Sequence, residues 1–207
     1  MIVIPLYLDR EHPGRDQLRA CRLPRGVLVD SSVCVVHGGD GPASPHIADF
    51  LLGLWNARVV EGLVCRGLLA NASTWLTHAA IHALPFPVPD LATLLHPSRR
   101  PAGPTPGRAP QDLVWMVAES AAAAERSRQV AARAIAAWYR AQPQPSVALR
   151  ASCWQALTAC GPGGRAADAG ETAALRGCIP GLVGALAEWD ASVALCESAV
   201  ASLYAPG

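Results

Sequence analysis

Four residues have the types and spacing that could hold a metal ion. Cys34 and His37 are in a C-x-x-H spacing, and His78 and His82 stand one helical turn apart. Thiolate and imidazole are common zinc ligands, and four of them would complete a tetrahedral site. No known family spacing joins the two pairs, and surface or capping histidines beside a buried thiol are the commoner arrangement. We therefore expect no metal and no cofactor.

Other catalytic motifs are missing from the sequence. All 17 basic residues are arginine, so a phosphate-binding G-x-x-x-x-G-K-[ST] loop is excluded. The GPGG at 161–164 follows a predicted helix and not a buried strand, and neither G-x-S-x-G nor H-E-x-x-H occurs. The [ND]-P-P-[YFW] motif typical of adenine-N6 methylation is also lacking. These absences predict a chain without catalytic apparatus of its own.

The composition favours a cytoplasmic protein without a strong electrostatic field of its own. The 207 residues carry a net charge of +1, which does not draw the chain onto nucleic acid or membrane. Seven cysteines form no C-x-x-C pair, as is usual in a reducing compartment. The apolar N-terminal stretch is short and lacks preceding basic residues, so we expect neither a signal peptide nor a membrane segment.

The first half of the chain predicts strands followed by a helix. Pro5 would place the first strand at a sheet edge. Ser44 and Pro45 predict a helix start, with the serine hydroxyl accepting from a free N–H, and helical spacing continues to about Leu69. The prolines of LPFPVP predict an extended strap at 84–89. The predicted strands are the β-branched or alternating segments 2–8, 17–23 and 27–37.

The second half predicts long helices. Residues 97–110 hold five prolines and indicate a linker between an α+β domain at 1–96 and a helical domain at 111–207. Apolar positions in two segments step by 4 and 3, a 3.5-residue repeat that predicts a left-handed helical pair. The fold class is thus α+β: a small mixed or antiparallel sheet with a packed helix, then a long antiparallel helical hairpin or bundle. Its helices are expected at about 111–141, 147–159 and 181–204.

The order of these elements resembles a known family. The matching residues are Leu51, Leu52, Leu54 and Asn56 in the helix, Leu84, Pro85, Pro87 and Pro89 in the strap, and Leu203 and Tyr204 near the end. They are similar to the target-recognition domain of N6-adenine DNA methyltransferases and of type I restriction specificity subunits. The resemblance covers about residues 15–95 and, more loosely, 180–205.

That resemblance implies double-stranded DNA as ligand and a methyltransferase, with or without a restriction subunit, as partner. Arginines would contact phosphates and loop side chains would reach base edges. The candidate DNA-contacting residues are Arg66, Asn71, Ser73, Thr74, Arg58, Arg22 and Arg25. The helical pair would dock on the partner through Ile135, Trp138, Leu186, Trp189 and Val193. With so little net charge, the isolated chain is expected to bind duplex DNA poorly.

Two other functions fit the same composition. An α+β head with a helical hairpin could serve as a protein-interaction module that never touches DNA. A metal-dependent or thiol enzyme using the four cysteine and histidine residues is the third hypothesis, and stoichiometric zinc in the purified protein would support it.

Overall fold

The fold is taken from a computed structural model of the chain. It describes residues 1–5, 20–23, 28, 33–37, 39–60, 62–64, 87–88, 90–101, 109–143 and 176–205. The predicted helix at 147–159 lies outside these residues, as do 102–108 of the predicted linker.

Three strands form one antiparallel sheet in the described part of the chain. They are β1 (Ile2–Pro5), β2 (Cys21–Arg22) and β3 (Val33–Val36), in the order β2-β1-β3. Each lies within a segment predicted as a strand. The prediction that Pro5 marks an edge strand is wrong, because β1 is central. Pro5 is the last residue of β1, opposite Val33, so its missing N–H falls at the end of the ladder.

Helix α1 (Ser44–Asn56) follows the sheet and contributes the fully buried Phe50. Its predicted capping is wrong: Ala43 is the N-cap residue, and the Ser44 hydroxyl donates to the carbonyl of Gly39. The predicted continuation to Leu69 is also wrong, because Ala57 is extended, with φ −77° and ψ 137°. Residues 58–60 and 62–64 are helical again, and we call them the post-α1 helical stretch.

A short helix and a turn come before the long helices. Asp90 has a left-handed backbone, with φ 39°, and its side chain accepts from the Thr93 N–H at 3.3 Å, which caps α2 (Leu91–Leu94). A 3-10 turn (Pro97–Arg99) follows. The Trp115 indole N–H donates to the Leu94 carbonyl at 2.8 Å, so this segment is fixed to the helix that follows.

Two long helices, α3 (Pro110–Arg140) and α4 (Leu182–Leu203), match their predicted ranges within one residue at each end. The 3.5-residue repeat selects their inward side chains, since every apolar position in it is buried or half-buried. The inward positions are Val117, Ala121, Ala124, Ala131, Ile135 and Trp138 on α3, and Leu182, Leu186, Trp189, Val193, Cys196, Val200 and Leu203 on α4.

The chain divides into two compact units. The first consists of Met1–Ala122 with Leu195–Gly207, and the second of Ala123–Ala194. Each long helix therefore contributes residues to both units. The predicted domains, 1–96 and 111–207 with a linker at 97–110, have other bounds and stay a prediction.

Each unit has its own hydrophobic core. In the first, Phe50, Leu95, Val114, Val117 and Val200 show no measurable exposure. The described core of the second is built largely from alanine, isoleucine and leucine with Trp189, and its buried members are Ala124, Ala131, Ile135, Ile179, Leu182, Ala185, Leu186 and Trp189.

The predicted α+β class is confirmed: a small antiparallel sheet accompanies a mostly helical chain. The hairpin arrangement of the long helices stays a prediction. In the described ranges, no helix is both long and apolar enough to cross a membrane.

Candidate nucleic-acid interface

The asparagine of the resemblance, Asn56, joins the end of α1 to the start of β2. Its side-chain oxygen accepts from the Ala20 N–H at 2.8 Å, and its side-chain amide donates to the Ala20 carbonyl at 3.0 Å. The Asn56 amide group thus bonds both backbone groups of Ala20, as a neighbouring β-strand does in a sheet. Ala20 is only 4% exposed. Because both groups would otherwise be buried unpaired, Asn56 has a structural role.

The leucines of the same motif lie in the core. Leu52 and Leu54 are buried, and Leu51 is partly buried against the same cluster. In the strap, Val88 is buried and Pro87 is half-buried, while Leu84, Pro85 and Pro89 lie outside the described residues. The described residues of the motif therefore pack in the core and fix the end of α1.

Arg58 is the first of those residues, and its side chain is exposed. Its backbone N–H donates to both carboxylate oxygens of Glu197, at 3.2 Å each. Within the described ranges, no carboxylate pairs with the Arg58 guanidinium. The backbone of Arg58 is therefore fixed while its charge stays available to an external anion.

Arg22 is occupied inside the protein. Its guanidinium pairs with the Asp49 carboxylate at 2.5 Å, and the Asp49 side chain is only 11% exposed. Strand β2 and helix α1 are joined by this pair. Since an arginine bound to a buried carboxylate has less free charge for a phosphate, its DNA contact stays a prediction that the geometry does not favour.

The remaining candidate DNA contacts fall in two other segments of the chain. Arg66, Asn71, Ser73 and Thr74 lie in 65–86, and Arg25 lies in 24–27, all outside the described residues. Arg58 stands at the start of the chain segment that leads into 65–86. Of the two candidates that the structure describes, Arg22 and Arg58, Arg58 is the one with an exposed side chain.

The predicted docking side chains lie in the core of the second unit. Ile135, Leu186 and Trp189 are buried there, and Trp138 and Val193 pack against them half-buried. A partner helix would have to replace these intramolecular contacts. Docking through these five residues stays a prediction, and the side chains do not form a free surface.

The candidate metal ligands are separated or not described. Cys34 is half-buried on β3 and His37 is exposed just after it, while His78 and His82 lie outside the described residues. Within the described ranges, three or more metal-ligating side chains do not come together anywhere.

The sequence does not point to two acidic residues that bond the candidate arginines, Asp49 and Glu197. Asp49 is the single charged residue of α1, and a lone acid in so apolar a helix indicates a buried partner. Glu197 lies 139 residues from Arg58, and no local pattern connects them.

Comparison of the chain with protein-family models, with curated proteins and with solved structures gives no match.

Proposed function

We propose that this chain is a DNA sequence-recognition subunit, or a split target-recognition domain, that acts with an adenine-N6 methyltransferase. Such a complex would serve restriction-modification or phage defence, and this chain would carry no chemistry of its own. The observation that carries the proposal is Arg58: an exposed arginine whose backbone is held at the end of the Leu-Leu-x-Leu-x-Asn helix.

Arg58 has what a phosphate contact needs. A guanidinium offers a fixed fork of donors to a phosphate oxygen pair, and a fixed backbone lowers the entropy lost on binding. A contact of this kind sets the register of a protein on the duplex, while base-reading groups supply specificity. In this proposal the base-reading groups are Asn71, Ser73 and Thr74.

The near-neutral charge supports dependence on a partner. Affinity for duplex DNA comes largely from neutralised phosphates, and a net charge of +1 supplies little of it. The isolated chain should bind random-sequence duplexes weakly and release them as salt rises. Tight, salt-resistant and sequence-selective binding by the chain alone would contradict this dependence.

The main experiment removes the gene from its source organism and maps N6-methyladenine across the genome. Methylation at one sequence motif should disappear, and it should return when the wild-type gene is restored. Unchanged methylation after deletion would sink the proposal.

A matched pair of variants tests the role of Arg58. Arg58→Gln should restore motif methylation only in part, because one phosphate contact is lost, whereas Arg133→Gln should restore it fully. Arg133 is also exposed but lies on α3 in the second unit. With the purified complex, Arg58→Gln should reduce the salt dependence of DNA binding by about one unit of slope. Equal behaviour of the two variants would remove Arg58 from the interface.

The second candidate function, a protein-interaction module without DNA contact, is favoured by exposed apolar side chains. Val130 is 53% exposed and Val183 is 59% exposed in the second unit, and Leu195 is 49% exposed in the first. A protein partner that co-purifies stoichiometrically, together with unchanged genomic methylation after deletion, would favour this candidate over DNA recognition.

A further inference from the structure

The post-α1 helical stretch starts without a capping side chain of its own. Ala57 occupies the position before it in an extended conformation, and its methyl group cannot accept a hydrogen bond. The Val60 N–H donates to the Ala57 carbonyl at 3.0 Å, which closes the first turn. The N–H of Arg58 is therefore one of the donors that a helix start leaves without a partner in the helix.

Glu197, on α4, supplies the missing acceptor. Both of its carboxylate oxygens lie 3.2 Å from the Arg58 nitrogen. A negative charge at a helix start also interacts favourably with the positive end of the helix dipole. A residue distant in sequence thus performs the capping that Ala57 cannot perform.

The Glu197 carboxylate bonds the backbone of Arg58 and leaves its side chain exposed. The described part of the chain contains no ion pair between the Arg58 guanidinium and Glu197. If the two side chains had paired instead, the charge available to a phosphate would be largely neutralised. The Glu197 carboxylate therefore fixes the backbone of Arg58 and leaves the charge of its guanidinium unpaired by Glu197.

We propose that Glu197 is a positioning residue for DNA recognition, which acts through Arg58. This inference rests on the proposed function. Capping by Glu197 sets the direction in which the chain leaves α1. That direction determines where the Arg58 guanidinium contacts the phosphate backbone.

Three variants of the full chain test the cap: Glu197→Ala, Glu197→Gln and Asp190→Ala. Hydrogen exchange of the Arg58 amide should become about fivefold faster in Glu197→Ala, the size expected for loss of a capping group. Glu197→Gln keeps an acceptor and should show a smaller increase. Asp190→Ala removes an exposed carboxylate from the same helix and should leave that amide unchanged.

The same variants, combined with Arg58→Gln, test the DNA role through motif methylation in the restored source organism. Glu197→Ala should lower methylation in the wild-type background, and Glu197→Gln should restore much of it. In the Arg58→Gln background, Glu197→Ala should cause no further loss, because groups that act through one another are not additive. General destabilisation would lower methylation in both backgrounds.

The outcomes separate this inference from the proposed function. Unchanged exchange at the Arg58 amide would overturn the cap. Faster exchange together with additive losses of methylation would overturn positioning through Arg58. If deletion of the gene leaves methylation unchanged, the proposed function fails and the DNA role of Glu197 fails with it, whatever the exchange data show.

Discussion

Within the residues that the structure describes, the two units of this chain are stabilised in different ways. In the first, polar side chains join elements that are distant in sequence: Asn56 bonds Ala20, and Asp49 pairs with Arg22. In the second, Glu125 bonds Arg128 and Gln129 within the same helix, at 2.7 and 2.9 Å. A longer-range bond there, Ser127 to Glu188, is 3.5 Å long.

This difference shows how each unit obtains a defined arrangement. Directed hydrogen bonds select one register of strand and helix in the first unit, since a shifted register would leave buried groups unpaired. In the second unit the apolar 3.5-residue repeat selects the packed faces, because the Glu125 bonds to Arg128 and Gln129 lie within one helix and do not select how that helix packs. Substitutions in each unit can test the contrast.

The largest expected effect comes from the core of the first unit. Phe50→Ala should lower the free energy of unfolding by about 3–5 kcal/mol, because a fully buried aromatic ring is removed and leaves a cavity. Val183→Ala, at a position 59% exposed in the second unit, should change it by less than about 0.5 kcal/mol. Chemical denaturation measures both, and similar losses would contradict the assigned burial.

Alkaline pH should weaken the first unit through Cys196. Burial raises the pKa of this thiol from 9.0 to about 11, so the folded state favours the neutral form. The neutral thiol's contribution to the free energy of unfolding is complete below pH 9 and declines as the pH rises through 11. The total decline should be about 3 kcal/mol. Cys196→Ala should lack this decline when unfolding is measured against pH. Parallel curves for the two proteins would contradict a buried neutral thiol.

Two glycines should respond to alanine with opposite signs. A Cβ on Gly53 would lie 2.8 Å from both the Ala121 Cβ and the Cys196 Sγ, so Gly53→Ala should cost about 1–3 kcal/mol. Gly184 has open space around it within α4, and Gly184→Ala should stabilise by up to about 1 kcal/mol. Thermal unfolding of the pair tests this, and a stabilised Gly53→Ala would mean that the helices there are not in close contact.

A smaller destabilisation than in the cores concerns the bond between α1 and Ala20, which precedes β2. Asn56→Ala should lower the unfolding free energy by about 1–2 kcal/mol, because both backbone groups of Ala20 lose their partner. Gln129→Ala breaks a bond within α3 and should cost less than about 0.5 kcal/mol. Urea denaturation compares the two, and an equal cost would remove the distinction between the units.

Local patterns predicted the elements but not their long-range arrangement. The bounds of α3 and α4 followed from a periodicity that every turn repeats, so each was nearly correct. The sequence did not predict that β1 is the central strand. Strand order depends on which strands pair, and a proline at the end of a strand does not determine its pairing partners. The sequence also does not predict the break at Ala57, because alanine favours helix. The bonds on either side of the break join residues distant in sequence: Asn56 bonds Ala20, and Glu197 bonds the N–H of Arg58.

The candidate interface was predicted in part. The motif includes Asn56, but no local pattern shows that this asparagine bonds the backbone of Ala20, or that Arg58 is the exposed one of the two described arginine candidates, Arg22 and Arg58. Arg22 is a candidate by residue type, because arginines contact phosphates. Its pairing with Asp49 requires the helix to lie against β2, which no local pattern contains.

The discontinuous first unit has a consequence for synthesis on the ribosome. Residues 195–207 supply Cys196, Ala199 and Val200 to the core around Phe50, yet they emerge after all of 1–194. During translation, Phe50 and Val117 therefore lack these neighbours until the second unit has been synthesised. Nascent chains of this protein therefore expose apolar surface for an extended interval, during which a chaperone is expected to bind them.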